Sequence, residues 1–235
     1  MAATALSRET KPEIIYPDSD GEPIARNTVQ YQYIIAMQVG LDAMFVDNPD
    51  VLVAADLLWY PVEGRPDIKN APDVMVAFGR PKGDRGSYRQ WEENGVAPQV
   101  VFEIAPPGAT VAEMRLKRMF YDRYGVVEYY EYDPDNGTLD VWTRQKSGLR
   151  NAFFSDEWRS PLLSATFRLE INGRLTVYRP NGDRFLRPVE IKALADMAEA
   201  WAERERRRAE QERERAERLA AKLLELGIDP EQIDG

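Results

Sequence analysis

The sequence predicts an α/β protein, in which a mixed β-sheet is flanked by helices and followed by one long C-terminal helix. Three observations support this fold class. Short apolar runs bounded by turn residues recur between residues 51 and 143, as expected of strands. An amphipathic segment without proline separates two of these runs, which indicates a helical crossover between strands. After residue 190 the composition changes to alanine, glutamate, arginine and leucine, which is typical of an exposed helix.

The first helix is predicted over residues 28–45. Asn27 is a suitable N-cap, because its side chain can accept a hydrogen bond from a free backbone N–H of the first turn. Residues 1–26 combine several prolines with charged residues and are predicted to form an extended lead-in. We therefore place the folded domain at residues 27–190. The apolar stripe of the helix consists of Ile34, Ile35, Met37, Leu41, Met44 and Phe45.

A series of strands follows this helix. A second helix is predicted from Ala109 to Tyr124, with Gly125 as its C-cap. The turn sequence Asp133–Gly137 predicts a hairpin, and a second hairpin is predicted around Asn172 and Gly173, between Phe167 and Tyr178. The predicted strands are Val51–Tyr60, Val74–Phe78, Gln99–Ala105, Val127–Tyr132 and Thr138–Thr143.

Residues 191–235 are predicted to be a charged tail, with a helix from Leu194 to the residue before Gly227. Alanine or leucine recurs at every seventh position of this helix, but the companion seam position holds Glu205 and Glu212 in the middle. Three interpretations follow: a solvated arm, a coiled-coil seam of a homodimer, or a lever that docks on a second copy.

Composition excludes several chemistries. The chain has no histidine and no cysteine, which removes Ser-His-Asp and Cys-His nucleophiles, zinc clusters and disulfides. Oxygen ligands select hard cations such as Mg²⁺ or Mn²⁺. The net charge of −9 argues against a broad electrostatic footprint for nucleic acid, so any such contact needs a local patch. Without a signal peptide or a membrane-spanning run, we expect a cytoplasmic protein with no membrane contact.

Two acidic residues are the leading candidates for a functional site. Glu103 lies inside the apolar run Val100–Ile104, and Asp73 opens the predicted strand at residue 74. A carboxylate in a buried strand needs a partner, because its desolvation is costly. That partner could be a divalent metal shared with Asp73, or a salt bridge to Lys117 or Arg115 on the second helix.

The order and spacing of these residues resemble the Uma-type family of putative restriction endonucleases, which belongs to the PD-(D/E)xK nuclease superfamily. The resemblance covers about residues 15–180, and the tail ending at residues 226–230 is also similar to tails in that family. It implies a restriction-endonuclease-like core, a Mg²⁺ or Mn²⁺ site and phosphodiester cleavage, with DNA as the expected substrate. The motif consists of Ala71–Val74, Val101–Pro107, Glu113, Lys117, Tyr121, Gly125–Val126, Glu128–Tyr130 and Asp133–Pro134.

The resemblance also implies roles for individual residues. Asp73 and Glu103 match the metal-binding acids, and the backbone carbonyl of Ile104 would complete the metal ligands. Ala105 stands where the superfamily pattern has its lysine, and Lys117 on the helix would take over that function. The implied mechanism is metal-assisted hydrolysis, in which the lysine orients the attacking water or stabilises developing charge.

Further residues are weaker candidates for this site. Glu113 lies one helical turn before Lys117 and would either anchor the lysine or form a surface pair. Tyr121 is expected in the core more than in catalysis. Gln30 on the first helix could add a polar group to the site. Asp56 lies in an apolar run and would be a third metal ligand or, more in line with its surroundings, a satisfied structural acid.

The segment from Gly79 to Asn94 is the candidate nucleic-acid contact, with a solvated crossover or a dimer contact as alternatives. Two rival functions stay open at this point. One is a catalytically silent nuclease-fold binding or scaffold protein that oligomerises through its C-terminal helix, and the other is an oligomeric adaptor whose functional part is that helix. The basic and aromatic residues of the segment are Arg80, Lys82, Arg85, Tyr88, Arg89 and Trp91.

Overall fold

The computed structural model describes residues 14–227. The first half of the predicted lead-in, residues 1–13, and the end of the predicted tail, residues 228–235, lie outside the described residues. The chain divides into two compact units, with the division between Arg187 and Pro188. The domain limits expected from the sequence stay a prediction.

The first unit contains two helices and eleven strands within the described residues. The second unit contains one long helix. The helices are α1 (Thr28–Met44), α2 (Val111–Tyr124) and α3 (Pro188–Glu225). The strands are β1 (Val51–Ala55), β2 (Trp59–Tyr60), β3 (Val74–Phe78), β4 (Tyr88–Arg89), β5 (Val100–Ile104), β6 (Glu128–Asp133), β7 (Thr138–Gln145), β8 (Gly148–Asn151), β9 (Glu157–Arg159), β10 (Thr166–Leu169) and β11 (Leu175–Tyr178).

Six strands form the main sheet in the order β1-β3-β5-β6-β7-β8. Only β5 and β6 pair in parallel in this sheet, and α2 is the crossover between them. Parallel neighbours need such a crossover because a tight hairpin can join only antiparallel strands. The predicted α/β fold with a mixed sheet and a long C-terminal helix is therefore confirmed. Strands β9–β11 form a three-stranded sheet, and β2 pairs with β4.

Local signals in the sequence explain where α1 and α2 begin and end. Asn27 accepts a hydrogen bond from the backbone N–H of Gln30 at 2.7 Å, so it is the N-cap that the sequence predicts. Thr110 and Glu113 form a capping box at the start of α2. Gly125 ends this helix with φ 101°, a left-handed conformation that glycine adopts without steric cost.

The prediction of one strand over Val51–Tyr60 is wrong. Asp56 has φ 51°, and this left-handed residue ends β1 at Ala55. The chain then leaves the main sheet, and β2 pairs with β4 instead. Asp56 is also exposed, so the expectation that it is buried within an apolar strand is wrong as well. The run is apolar on both sides of Asp56 because β1 is buried in the main sheet and β2 is buried in the two-stranded sheet.

The main sheet has two covered faces, and strand alternation assigns each side chain to one of them. On one face, Phe102 and Ile104 pack with residues of α1 and of the three-stranded sheet. On the other face, Val101 packs with Tyr121 of α2 and with Trp59. Glu103 comes two residues after Val101, so its side chain lies on the same face of the sheet, which α2 covers. This position places an acid of β5 beneath a helix that carries Lys117.

Helix α3 has no buried residue along its 38 residues. At 1.5 Å per residue it is about 57 Å long. Ion pairs between residues four apart stabilise its surface, among them Glu203–Arg207, Arg208–Glu212 and Arg213–Glu217. These features favour the solvated arm among the three interpretations, and assembly of a homodimer through this helix stays a prediction.

Candidate active site

Glu103 is the centre of the candidate site. Its side chain is 1% exposed, and each carboxylate oxygen has a partner on α2. The Lys117 ammonium donates to Oε2 at 2.6 Å, and the Tyr121 hydroxyl donates to Oε1. Residues four apart on a helix lie on the same face, so α2 presents the amine and the phenol together. The sequence leaves Lys117 and Arg115 as possible ion-pair partners of Glu103. In the structure Lys117 forms the ion pair, whereas Arg115 is exposed.

Asp73 lies beside Glu103 because Val74 of β3 pairs with Phe102 of β5 in antiparallel register. Its carboxylate Oδ2 accepts a hydrogen bond from the backbone N–H of Ile104 at 2.6 Å. Burial, followed by the negative charge of Glu103, raises the pKa of Asp73 to about 8. A second negative charge beside Glu103 is therefore disfavoured in the metal-free protein.

Lys117 remains charged in this environment. Burial by itself lowers the pKa of the ammonium, but the carboxylates of Glu103 and Asp73 outweigh burial, and the net pKa is raised above its usual value. Burial, followed by the charge of Glu103, raises the pKa of Tyr121 well above its usual value. The phenol is therefore a hydrogen-bond donor to Glu103 at neutral pH.

Gln30 reaches the site from α1, on the opposite face of the sheet. Its Nε2 donates to the carbonyl of Ile104 at 3.0 Å, and its Oε1 accepts from the backbone N–H of Arg26 at 2.8 Å. The amide also lowers the pKa of Asp73 through a hydrogen bond, against the larger effect of burial. The Ile104 carbonyl implied as a metal ligand thus has a defined orientation, and its second lone pair can still accept a ligand.

A cavity of about 360 Å³ opens at this end of the sheet. It contains both Asp73 and Lys117, and its walls come from the lead-in, the start of α1, the segment before β3 and the first turns of α2. Four acids and two cations contribute to the lining, so the cavity is negative in balance. The charged lining residues are Asp20, Glu22, Arg26, Asp73, Glu113 and Lys117.

Two weaker candidates have other roles. Glu113 lines the cavity, but its carboxylate accepts from the backbone N–H and the hydroxyl of Thr110, each at 2.8 Å, and caps α2. The partner of Lys117 is Glu103. Asp56 lies at the exposed turn after β1, where partial burial and the nearby Asp20 raise its pKa.

The segment Gly79–Asn94 carries the predicted basic residues, but its cations are paired within the protein. Arg80 and Arg85 both contact Glu93, at 3.1 and 2.6 Å. The remaining pairs are Lys82 with Asp42 at 2.5 Å and Arg89 with Glu92 at 3.3 Å, while Trp91 packs on Tyr16. A phosphate bound here would compete with these carboxylates.

A row of acids that the sequence does not reveal continues across the sheet. Glu103 pairs with Glu131 of β6, and Glu131 pairs with Asp140 of β7. Burial raises the pKa of Glu131, although the hydroxyl of Tyr129 donates to it at 3.1 Å. Strand alternation could have assigned Glu131 to a face, but the parallel register that aligns it with Glu103 is not encoded in local sequence.

The raised pKa of Asp73 predicts how pH affects stability. Between pH 4 and pH 8 the folded state holds a proton that the unfolded state has released, so the stability of the metal-free protein falls as pH rises through this window. In EDTA at pH 8 we expect Asp73→Asn to raise the free energy of unfolding by about 2 kcal/mol, after a discount for solvent screening. Urea titrations between pH 5 and pH 8 measure the difference, which should grow with pH.

Asp67→Asn is the matched control for this measurement, because Asp67 forms an exposed ion pair with Arg65. A stability difference for Asp73→Asn that does not change with pH would contradict the assigned protonation of Asp73.

The geometry also limits how a metal could be held. Among the described residues, no three acidic side chains are grouped so that they could hold a metal ion together. The expected oxygen ligands come from Asp73, Glu103 and Ile104, which the register of β3 and β5 places at neighbouring positions. Mg²⁺ is commonly bound by one or two carboxylates, with water and substrate phosphate as the other ligands.

A family of known proteins matches most of the chain. Residues 5–177, well over half of the chain, match the Uma2 family, whose description is "Putative restriction endonuclease". The chain belongs to this family. Family membership supports a nuclease, which is a hydrolase.

Among solved structures, the chain is similar to a protein from Anabaena variabilis ATCC 29413 that is described as a putative nuclease belonging to DUF820. The two share 13% sequence identity, with a TM-score of 0.43 over 57% of this chain and 72% of that chain. No curated protein matches the sequence. In the part of the chain that the structure describes, no helix has the length and apolar character needed to cross a membrane.

Proposed function

We propose that the protein is a metal-dependent endonuclease that hydrolyses phosphodiester bonds, with DNA as its substrate and Mg²⁺ or Mn²⁺ as its cofactor. One observation carries this proposal. Asp73, Glu103 and Lys117 lie together at the C-terminal end of β5, although Asp73 precedes β3 and Lys117 belongs to α2. An amine beside two carboxylates is a common arrangement for metal-assisted hydrolysis.

The residues fit a hard divalent cation. All donors are oxygens, and the pKa of Asp73 is raised because burial and Glu103 disfavour a second negative charge. We assign Asp73, Glu103 and the Ile104 carbonyl as the metal-holding groups. A bound divalent cation would polarise a phosphoryl oxygen and lower the pKa of a water molecule.

The protein groups supply orientation and charge. Tyr121 holds one oxygen of Glu103, which fixes the direction of the carboxylate. Gln30 holds the Ile104 carbonyl from the other face of the sheet. Lys117 supplies a positive charge in a half-buried position, where it can orient a water or stabilise the negative charge that develops on phosphate.

The substrate and the assembly are also part of the proposal. Contact between nucleic acid and the segment Gly79–Asn94 stays a prediction, because its cations are already paired with acids. The homodimer, the cytoplasmic location and the alternative of a catalytically silent scaffold protein also stay predictions. The activity assay below separates the nuclease from the scaffold.

Cleavage of supercoiled plasmid and of single-stranded DNA, with Mg²⁺ or Mn²⁺, tests the proposal. We expect nicking by the wild-type protein, and we expect Asp73→Asn and Glu103→Gln to reduce the rate by at least about 1000-fold, because each variant removes a charge from the metal-holding groups. Glu157→Gln, in an exposed ion pair with Arg168, is the matched control and should cleave like the wild type. Cleavage that persists in both site variants, or no cleavage of either substrate, would refute the proposed activity.

A further inference from the structure

The cavity beside Asp73 contains a cation with no assigned role. Arg26 lies immediately before the N-cap of α1, is exposed and lines the cavity wall. Within residues 14–227 its guanidinium has no ion pair or hydrogen bond to another side chain. An exposed guanidinium without such a partner is available to a ligand.

Arg26 is close to the reacting groups. Its backbone N–H donates to Gln30 at 2.8 Å, and the same Gln30 side chain contacts the Ile104 carbonyl at 3.0 Å. The charge of Arg26 lowers the pKa of Glu113 and opposes the raised pKa of Lys117, so its guanidinium lies within electrostatic range of both. One arginine side chain can therefore extend over the cavity that holds Asp73 and Lys117.

The other cations that are candidates for the site or for nucleic-acid contact already have partners. Lys117 donates to Glu103, and the arginines of the segment Gly79–Asn94 pair with Glu92 or Glu93. Arg26 is thus the cation of the cavity that can accept an anion without losing a partner among the described residues. Guanidinium groups suit this function, since their parallel N–H groups match two oxygens of a phosphate.

We propose that Arg26 binds a backbone phosphate of the nucleic acid and holds it in the cavity beside Asp73 and Lys117. This inference rests on the proposed function, because it specifies how the nuclease would hold its substrate. It also explains how an acidic protein can bind a polyanion: one unpaired arginine at the cavity adds to the charge supplied by a bound metal, so a broad basic surface is not required.

Binding of short fluorescein-labelled duplex and single-stranded DNA, measured by polarisation in Ca²⁺ and in EDTA over a range of salt concentrations, tests this inference. For Arg26→Ala in Ca²⁺ we expect an affinity loss of about tenfold and a decrease of about one in the slope of log K against log salt. Arg26→Lys should retain the slope, because it keeps the positive charge, with an intermediate affinity.

Arg115→Ala is the matched control, because Arg115 is an exposed arginine of α2 outside the cavity lining. We expect it to bind like the wild type. Equal losses in Arg26→Ala and Arg115→Ala would overturn the inference, as would a wild-type protein that binds neither probe. If the Arg26 effect is observed but no metal supports cleavage, the inference stands and the proposed nuclease activity fails.

Discussion

Replacement of Lys117 by methionine is expected to have opposite effects on metal binding and on cleavage. In the metal-free protein the ammonium neutralises Glu103 at 2.6 Å, so a divalent cation must share this carboxylate with the lysine. Without the ammonium, the buried carboxylate attracts a cation more strongly. We expect Mn²⁺ and Mg²⁺ affinity to rise by about tenfold, which corresponds to about 1.4 kcal/mol. Cleavage should fall by at least about 100-fold, because a charge that stabilises the transition state is lost.

Isothermal titration calorimetry of Lys117→Met, together with plasmid nicking, measures both effects. Lys146→Met makes the same chemical change at an exposed turn and should alter neither quantity. Lys117→Gln is a second variant that keeps a hydrogen-bond donor, and circular dichroism verifies that each variant is folded. A parallel loss of metal affinity and cleavage would show that the lysine assists metal binding, contrary to our interpretation.

The second large effect is expected far from the cavity, at Glu128. This buried carboxylate of β6 accepts from the hydroxyls of Tyr130 and Ser160, at 2.7 and 2.5 Å, and from the backbone N–H of Leu162 at 2.9 Å. Ser160 and Leu162 belong to the turn between β9 and β10, so Glu128 attaches the three-stranded sheet to the main sheet. Glu128→Ala leaves three donors without their acceptor, and we expect a loss of about 4 kcal/mol in the free energy of unfolding.

Urea unfolding of Glu128→Ala and Glu128→Gln checks this value. The glutamine variant keeps one acceptor oxygen and should lose less, about 1–2 kcal/mol. Glu157→Ala removes an exposed partner of Arg168 and should change stability by less than about 1 kcal/mol. A loss for Glu128→Ala no larger than that of Glu157→Ala would mean that the turn does not depend on this carboxylate.

The two buried glutamates show how much of the site could be predicted from the sequence. Glu103 stood out because it interrupts a short apolar strand, and a buried acid needs a partner. Glu128 occupies a similar apolar context at the start of a strand, yet two of its three partners come from a turn more than thirty residues later. The sequence reveals that such an acid requires compensation, and only the fold reveals whether a lysine, a metal or neutral donors provide it.

Other differences follow from long-range contacts. The predicted strand Val51–Tyr60 is broken at Asp56. Its two parts are buried in two different sheets, and together they give one continuous apolar run in the sequence. The sequence makes the cations of the segment Gly79–Asn94 candidates for nucleic-acid contact, but Glu92 and Glu93 of the same segment and Asp42 of α1 pair with them. The position of Arg26 at the cavity could not be predicted, since an isolated arginine before a helix has no local signature.

By itself, the sequence determined the α/β class, the limits of α1 and α2 to within a few residues, the absence of histidine and cysteine chemistry, and the resemblance to a nuclease family. These properties depend on composition, capping residues and short-range periodicity, which are local. Only the tertiary structure decided that α2 packs on β5 so that Lys117 and Tyr121 contact Glu103. It also decided that Asp73 lies beside Glu103 and that Arg26 lines the cavity. These contacts depend on strand register and helix docking, which result from the packing of the whole domain.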